Sequence, residues 1–295
     1  MRRLYPVHPA PDLPASPSAG PTGREADAAG PLAPGTPSAP GTPGVPGTPG
    51  VPEDLDTLEG LAEAYAYPPG TDASAPWLRG NMVSGLDGAA HHAGRSRPLS
   101  CEADVRILGM LRALADVVVV GAGTIRAEGY GPLRARKAFA GRRAALGQTP
   151  APAIAVVTSG CDLDFSSPLF TEALTPTVLL TGAAAPEARV RAAREAGAVV
   201  ITAGEGTGVD PARAVRELAR HGWGRLLTEG GPQLLGQFAG AGVLDELCLT
   251  IAPLVTSGDA SRIMSGPGLE EPRRFSPASI LEEDGFLFTR YVRNR

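Results

Sequence analysis

Four consecutive valines, Val117 to Val120, fix the class of fold open to this chain. β-Branched residues suit a pleated strand. A run with no polar residue at alternate positions belongs to a strand covered on both faces, as in a parallel sheet. The flanking pattern agrees. Further strand-like runs occur at residues 77–83, 153–157, 177–180, 199–202, 225–228, 246–251 and 286–292. Helical periodicity marks residues 102–114, 186–196, 210–220 and 232–239. Ser100 is the expected N-cap of the first of these helices. Pro186 starts the second, which Gly197 stops, and Asp210-Pro211 opens the third. Alternating strands and helices predict an α/β fold with a mixed, mostly parallel central sheet flanked by helices. Consecutive strands late in the chain predict an antiparallel C-terminal edge.

The alternating region runs from 77 to 295. Residues 53–76 read as a lead-in helix and linker, with Asp54 or Asp56 as cap and Pro68-Pro69-Gly70 as the stop. Residues 1–52 carry Gly-Thr-Pro and Gly-Val-Pro triplets and almost no large apolar side chains. Such a segment buries too little to offset its ordering entropy, so a disordered Pro/Gly-rich tail is expected.

Several function classes are disfavoured. A net charge of −4 with interspersed signs offers no basic face for nucleic acid. Cys101, Cys161 and Cys248 form no CxxC pair, so no metal site and no disulfide framework is expected. No window approaches a membrane span, and the N-terminus lacks the apolar heart of a secretory signal. A cytoplasmic protein is expected.

Four segments follow predicted strand ends, the edge where open α/β sheets bind ligands. Gly121-Ala122-Gly123-Thr124 offers free backbone N–H groups to an anion, although the same residues serve ordinary turns. Glu229-Gly230-Gly231-Pro232, followed by Gln233 and Leu234, opens a helix whose unpaired N–H groups suit a pyrophosphate. Glu229 is a poor neighbour for an anion and suits N–H or O–H donors of a second ligand, unless it is a capping carboxylate. Asn81-Met82-Val83-Ser84-Gly85-Leu86-Asp87-Gly88 is a strand that breaks at Gly85 into a tight turn at Asp87-Gly88. Thr158-Ser159 places hydroxyls where a ribose 2′-phosphate could lie. Arg112, Arg126, Arg134 and Arg136 lie near these segments, and arginine forks match phosphate oxygens.

In this order the pieces NMVSGLDG, LRALADVVVVGAGTIRAEGYGPLR, VVTS, LLTEGGPQLLGQF and GVLDELCLTIAPLV resemble the pyrimidine reductase domain of bacterial riboflavin biosynthesis, the RibD C-terminal-like domain. The resemblance covers residues 77 to 295 and implies a dihydrofolate-reductase-like fold. It implies NADPH-dependent reduction of 5-amino-6-(5-phosphoribosylamino)uracil, turning a ribosyl into a ribityl group. It places Ser84, Gly123, Thr124, Glu128, Ser159 and the stretch Gly230, Gly231, Pro232, Gln233 and Leu234 at the cofactor. It places Ser96, Arg112, Arg134 and Glu229 at the substrate, with Ser96 and the arginines suited to its 5′-phosphate. Asp87 and Glu229 are the expected catalytic groups, Asp87 holding the turn between the ligands and aiding proton delivery. A homodimer is expected.

The chain departs from the family pattern at Gly85, where serine is common, at Pro98, near a usual tryptophan, and at Glu128-Gly129, where an acidic pair is common. The HxE and PCxxC motifs of the fused deaminase are absent, so deamination is expected from a separate protein. Two other readings stand beside this one: a same-fold reductase of a pterin or specialised metabolite, and a catalytically silent nucleotide-binding protein.

Overall fold

The computed structural model describes residues 1–5 and 54–294. Ten strands form one sheet: β1 (Arg2–Tyr5), β2 (Trp77–Ser84), β3 (Val117–Gly121), β4 (Ala153–Val157), β5 (Val178–Thr181), β6 (Val199–Thr202), β7 (Arg225–Thr228), β8 (Glu246–Ile251), β9 (Phe275–Glu283) and β10 (Phe286–Arg293). Their order is β1-β9-β10-β8-β2-β7-β3-β4-β5-β6. Every pairing from β8 through β6 is parallel, and β10, β9 and β1 add antiparallel strands beyond β8. The expected mixed sheet with an antiparallel C-terminal edge is borne out.

The valine run explains the layering. Val118 and Val120 point into one core with Met110, Leu111, Ile154 and Leu179. Val117 and Val119 point into the other, with Leu235, Phe238, Leu226 and Leu218. The first core is covered by α1 (Leu58–Ala64) and α2 (Glu102–Leu114), the second by α7 (Pro211–Arg220) and α8 (Pro232–Gly240). Four further helices, α3 (Ala122–Glu128), α4 (Ala140–Ala145), α5 (Pro168–Thr171) and α6 (Glu187–Glu195), complete the described set. Each fully buried Leu, Val or Met contributes roughly 1.5–3 kcal/mol of transfer free energy.

The caps correct two expectations. Thr57, not Asp54 or Asp56, caps α1 by accepting from the Gly60 N–H at 3.1 Å. Asp54 acts one step earlier, its carbonyl accepting from the Thr57 hydroxyl. Cys101, not Ser100, occupies the N-cap of α2, and Ser100 Oγ donates to Asp104 at 2.5 Å instead. Asp210 caps α7 as expected, accepting from the Arg213 N–H at 2.6 Å. The tail expectation also changes at its start. Arg2, Arg3 and Tyr5 pair with Glu282, Leu281 and Ile280 of β9, so the first residues are part of the sheet. Residues 6–52, the rest of that expectation, lie outside the described residues, as does residue 53.

A buried ionic cluster ties α1 to the sheet. Arg79 Nη2 donates to Glu246 Oε2 at 3.0 Å, and Arg290 Nε to Glu246 Oε1 at 2.8 Å. Both guanidiniums also reach the C-terminal carbonyls of α1, Arg79 that of Tyr65 and Arg290 that of Ala64. Those carbonyls have no intrahelical partner of their own, so the two arginines serve as its C-terminal cap. Burial would push the Glu246 carboxyl up. The Arg290 and Arg79 charges overcome that and hold it at about 2.

Candidate active site

The site is built where β7 is inserted between β2 and β3. This brings three strand exits together at one sheet edge: Ser84 from β2, Thr228 from β7 and Gly121 from β3. α3 and α8 start within a few residues of two of those exits. The Gly121 N–H donates to the Gly230 carbonyl at 2.8 Å, stitching the turns together. Thr124 Oγ1 then stands so near Gly231 that a Cβ there would lie 2.8 Å away. Gly123 meets nothing within 4 Å, so its backbone is open to a ligand.

A cleft of ≈ 710 Å³ opens beside these turns, within the range of small-molecule sites. It gathers Ser96, Arg112, Gly123, Thr124, Glu128, Glu229, Gly231 and Pro232 from the sequence-predicted set. Ser96 and Glu128, expected at different ligands, are joined directly: Ser96 N and Oγ donate to Glu128 Oε1 at 3.2 and 3.1 Å.

Glu229 sits at the floor of the cleft and is already engaged. Arg112 donates to it from Nε and Nη2, each at 2.6 Å, in the bidentate form that carboxylates favour. Tyr130 adds its O–H to Oε2 at 2.5 Å. Burial, then the Glu229 charge, pushes the Tyr130 phenol well above its ordinary value, so it remains a donor. Burial alone would lower Arg112, but its bonds to Glu229 raise it above its ordinary value. Arg112, expected at the 5′-phosphate, is here engaged by Glu229.

Other expected residues lie elsewhere. Arg134 pairs with Glu172 at 2.9 Å and is largely exposed, outside the cleft. Asp87 does not line the cleft. It accepts from the N–H groups of Ser257 at 2.6 Å and Thr256 at 2.8 Å, and these bonds hold its carboxyl below the usual range. In this position it anchors the 254–257 turn through two backbone amides. Ser84 is buried at the end of β2, and Ser159 is exposed at the end of β4. The Leu234 side chain packs into the core below α8. Gln233 is exposed, and Gly230 is buried with its carbonyl held by Gly121.

Gly85 explains one departure from the family pattern. A Cβ there would lie 2.8 Å from Asp87 Oδ1 and 2.9 Å from the Leu254 carbonyl, so this turn is packed too closely for a larger residue as it stands.

Asn81 and Met82, from the segment that the sequence singles out at the end of β2, lie in the cleft wall, and sequence reasoning missed Tyr130 and His91 beside them. No spacing rule singles out Tyr130, because its partner Glu229 is 99 residues away. Among the described residues no helix is long and apolar enough to cross a membrane.

A family model described as the RibD C-terminal domain matches residues 76–284. A curated protein of Archaeoglobus fulgidus is 27% identical over 216 residues, covering 72% of this chain and 97% of that one. One of Methanothermobacter thermautotrophicus is 31% identical over 198 residues, covering 66% and 87%. Both are named 2,5-diamino-6-ribosylamino-4(3H)-pyrimidinone 5′-phosphate reductase. Among solved structures, a pyrimidine reductase-like protein from Corynebacterium diphtheriae superposes with a TM-score of 0.69 at 28% identity, covering 80% of this chain and 98% of that one. The family and fold class expected from the motifs are borne out.

Proposed function

Because the chain belongs to the RibD C-terminal domain family, we infer that it is a reductase of riboflavin biosynthesis that converts the ribosyl group of a phosphorylated pyrimidine riboside to a ribityl group, using NADPH. The observation that carries this reading is the contact between the Thr124 and Gly231 turns at the edge of the cleft that holds Glu229.

The residues present fit a dinucleotide. The starts of α3 and α8 are joined by the Gly121–Gly230 hydrogen bond, Gly123 leaves its backbone uncovered, and of the three carboxylates in the cleft lining, Asp104, Glu128 and Glu229, Asp104 is engaged by the Ser100 and Thr250 hydroxyls. Backbone amides at helix starts bind pyrophosphate oxygens. NADPH, when bound, supplies the hydride. The protein's own task is to hold donor and acceptor in register and to exclude water. The cleft offers backbone N–H groups for the cofactor and a positioned carboxylate, Glu229, for the pyrimidine.

The expected substrate class matches the names of the curated relatives, and those names specify the diaminopyrimidinone rather than the uracil. The diamino compound carries a ring N3–H beside a 2-amino group, two adjacent donors that match the two oxygens of a carboxylate. The uracil has lost the amine and presents N3–H between two carbonyls. Glu229 therefore favours the diaminopyrimidinone as substrate. A homodimer in the cytoplasm, supplied or followed by a deaminase on a separate chain, completes the proposal.

The test is NADPH oxidation followed at 340 nm with each pyrimidine in turn. Faster turnover of the diaminopyrimidinone phosphate is expected. Oxidation with neither compound rejects the reading.

A further inference from the structure

Arg112 stands in the wall between two hollows. One is the cleft that holds Glu229. The other is a smaller cavity of ≈ 240 Å³ that Arg112 shares with Arg134, Arg136 and Arg143. The four charges are unevenly answered. Glu229 takes Arg112, and Glu172 takes Arg134. Arg143 is buried at 2% exposure, donates only to the carbonyls of Ala113, Ala115 and Thr149, and leaves Nη2 without a partner. Arg136 lies against the backbone of Gly109, where a Cβ would fall 2.2 Å from its Nη2. Among the described residues no carboxylate pairs with either Arg136 or Arg143. Asp116 acts on Arg143 only at a distance, so two guanidiniums without an ion-paired carboxylate line one cavity and match a dianion, and their forks suit phosphate.

Glu229 has the converse difficulty. A carboxylate offers about four acceptor positions. Arg112 fills one on each oxygen and Tyr130 fills a second on Oε2. An adjacent donor pair on a pyrimidine cannot be received until the Arg112 fork leaves.

We propose that the substrate's 5′-phosphate acts as a key: seated in the arginine-lined cavity, it draws the Arg112 fork off Glu229 and so opens Glu229 to the pyrimidine. The inference rests on the reading of the chain as a reductase of a phosphorylated pyrimidine riboside, and deepens it. The exchange leaves no charge bare. Arg112 passes from a carboxylate to a phosphate, and Glu229 passes from a guanidinium to the ring N–H groups. The dianion wins the fork because it carries twice the charge and brings Arg136 and Arg143 their missing partner. Tyr130 stays on Oε2 throughout and is a positioning residue that keeps the carboxylate facing the cleft. A ribosylaminopyrimidinone without phosphate meets a closed Glu229, so the phosphate selects the substrate twice, by its own binding and by unlocking the base site.

The experiment uses the full chain with saturating NADPH, the diaminopyrimidinone riboside lacking its phosphate, and inorganic phosphate supplied separately. Linked sites commonly couple by about 5- to 150-fold, and the coupling is reciprocal. Inorganic phosphate is expected to raise kcat/KM for the riboside within that range in the wild type, and to have no such effect in Arg112→Met. Calorimetry on the wild type is expected to show riboside and phosphate tightening each other by one common factor, which needs no variant. Should phosphate leave riboside turnover unchanged or inhibit it, while the phosphorylated compound is reduced normally, the exchange is wrong and the functional reading stands. Activation that persists in Arg112→Met removes Arg112 from the device. No NADPH oxidation with the phosphorylated compound ends the functional reading and this inference with it.

Discussion

Thr124 and Gly231 touch although they leave different strands: a Cβ on Gly231 would lie 2.8 Å from Thr124 Oγ1. Gly231 has φ −67°, so a side chain there meets no backbone strain, only Thr124. Gly231→Ala must therefore push Thr124 aside, at a cost of about 1–3 kcal/mol for an overpacked contact. The expected result is NADPH affinity weakened about tenfold or more, with the pyrimidine site much less affected. Fluorescence titration with NADPH checks this. Unchanged affinity would separate Thr124 and Gly231 from the cofactor.

Glu229 and Thr124 mark the two subsites, so their substitutions are expected to part company. Glu229→Gln removes a charged acceptor, and hydrogen bonds to charged groups contribute about 1.5–3 kcal/mol. It is expected to weaken the pyrimidine more than NADPH. Thr124→Val is expected to do the reverse. Equal loss of NADPH affinity in both variants would show the assignment of the subsites to be mistaken.

Asp87 tests the absence of an acid at the turn. Its carboxyl is held below the usual range by the N–H groups of Ser257 and Thr256. The pH profile of kcat is expected to keep its shape in Asp87→Asn, with the change appearing as a raised KM from a looser 254–257 loop. Disappearance of an acidic or basic limb in that variant would restore Asp87 as a proton carrier.

The Glu246 cluster governs stability rather than chemistry. Removing one partner of a buried pair typically costs about 3–5 kcal/mol because the other charge is left bare. Glu246→Gln strands both Arg79 and Arg290, so a loss of at least that order is expected by urea denaturation. The pH dependence has a definite sign. The folded carboxyl, at about 2, lies below its ordinary 4.5. Its contribution is complete above about 4.5 and is lost as pH falls from there through about 2. Glu246→Gln is expected to flatten that part of the acid stability curve. An unchanged curve would show that the cluster does not set acid stability.

Much of the frame is legible in local chemistry. The valine run announces a doubly covered strand, and Asp210-Pro211 announces a helix start, because both signals act within a few residues. What escapes depends on distance or on competing local signals. β9 carries Pro277 within its run, which speaks against a strand, and its pairing with β10 tolerates it beside a register shift. Gly121 to Thr124 reads as a turn, yet α3 begins at Ala122, because the glycines sit at a helix start rather than in a loop. Most of the proposed site residues that line the cleft sit within the sequence motifs, but their pairings cannot be read from those motifs. Arg112 and Glu229 stand 117 residues apart, and each looks individually like a ligand group until the fold brings them within 2.6 Å.

Amide hydrogen exchange with and without NADPH addresses the convergence of the two turns most directly. Slowed exchange is expected together at residues 122–125 and 231–235, with one shared dependence on NADPH concentration. Protection of one turn alone, or of neither while NADPH binds, would contradict it.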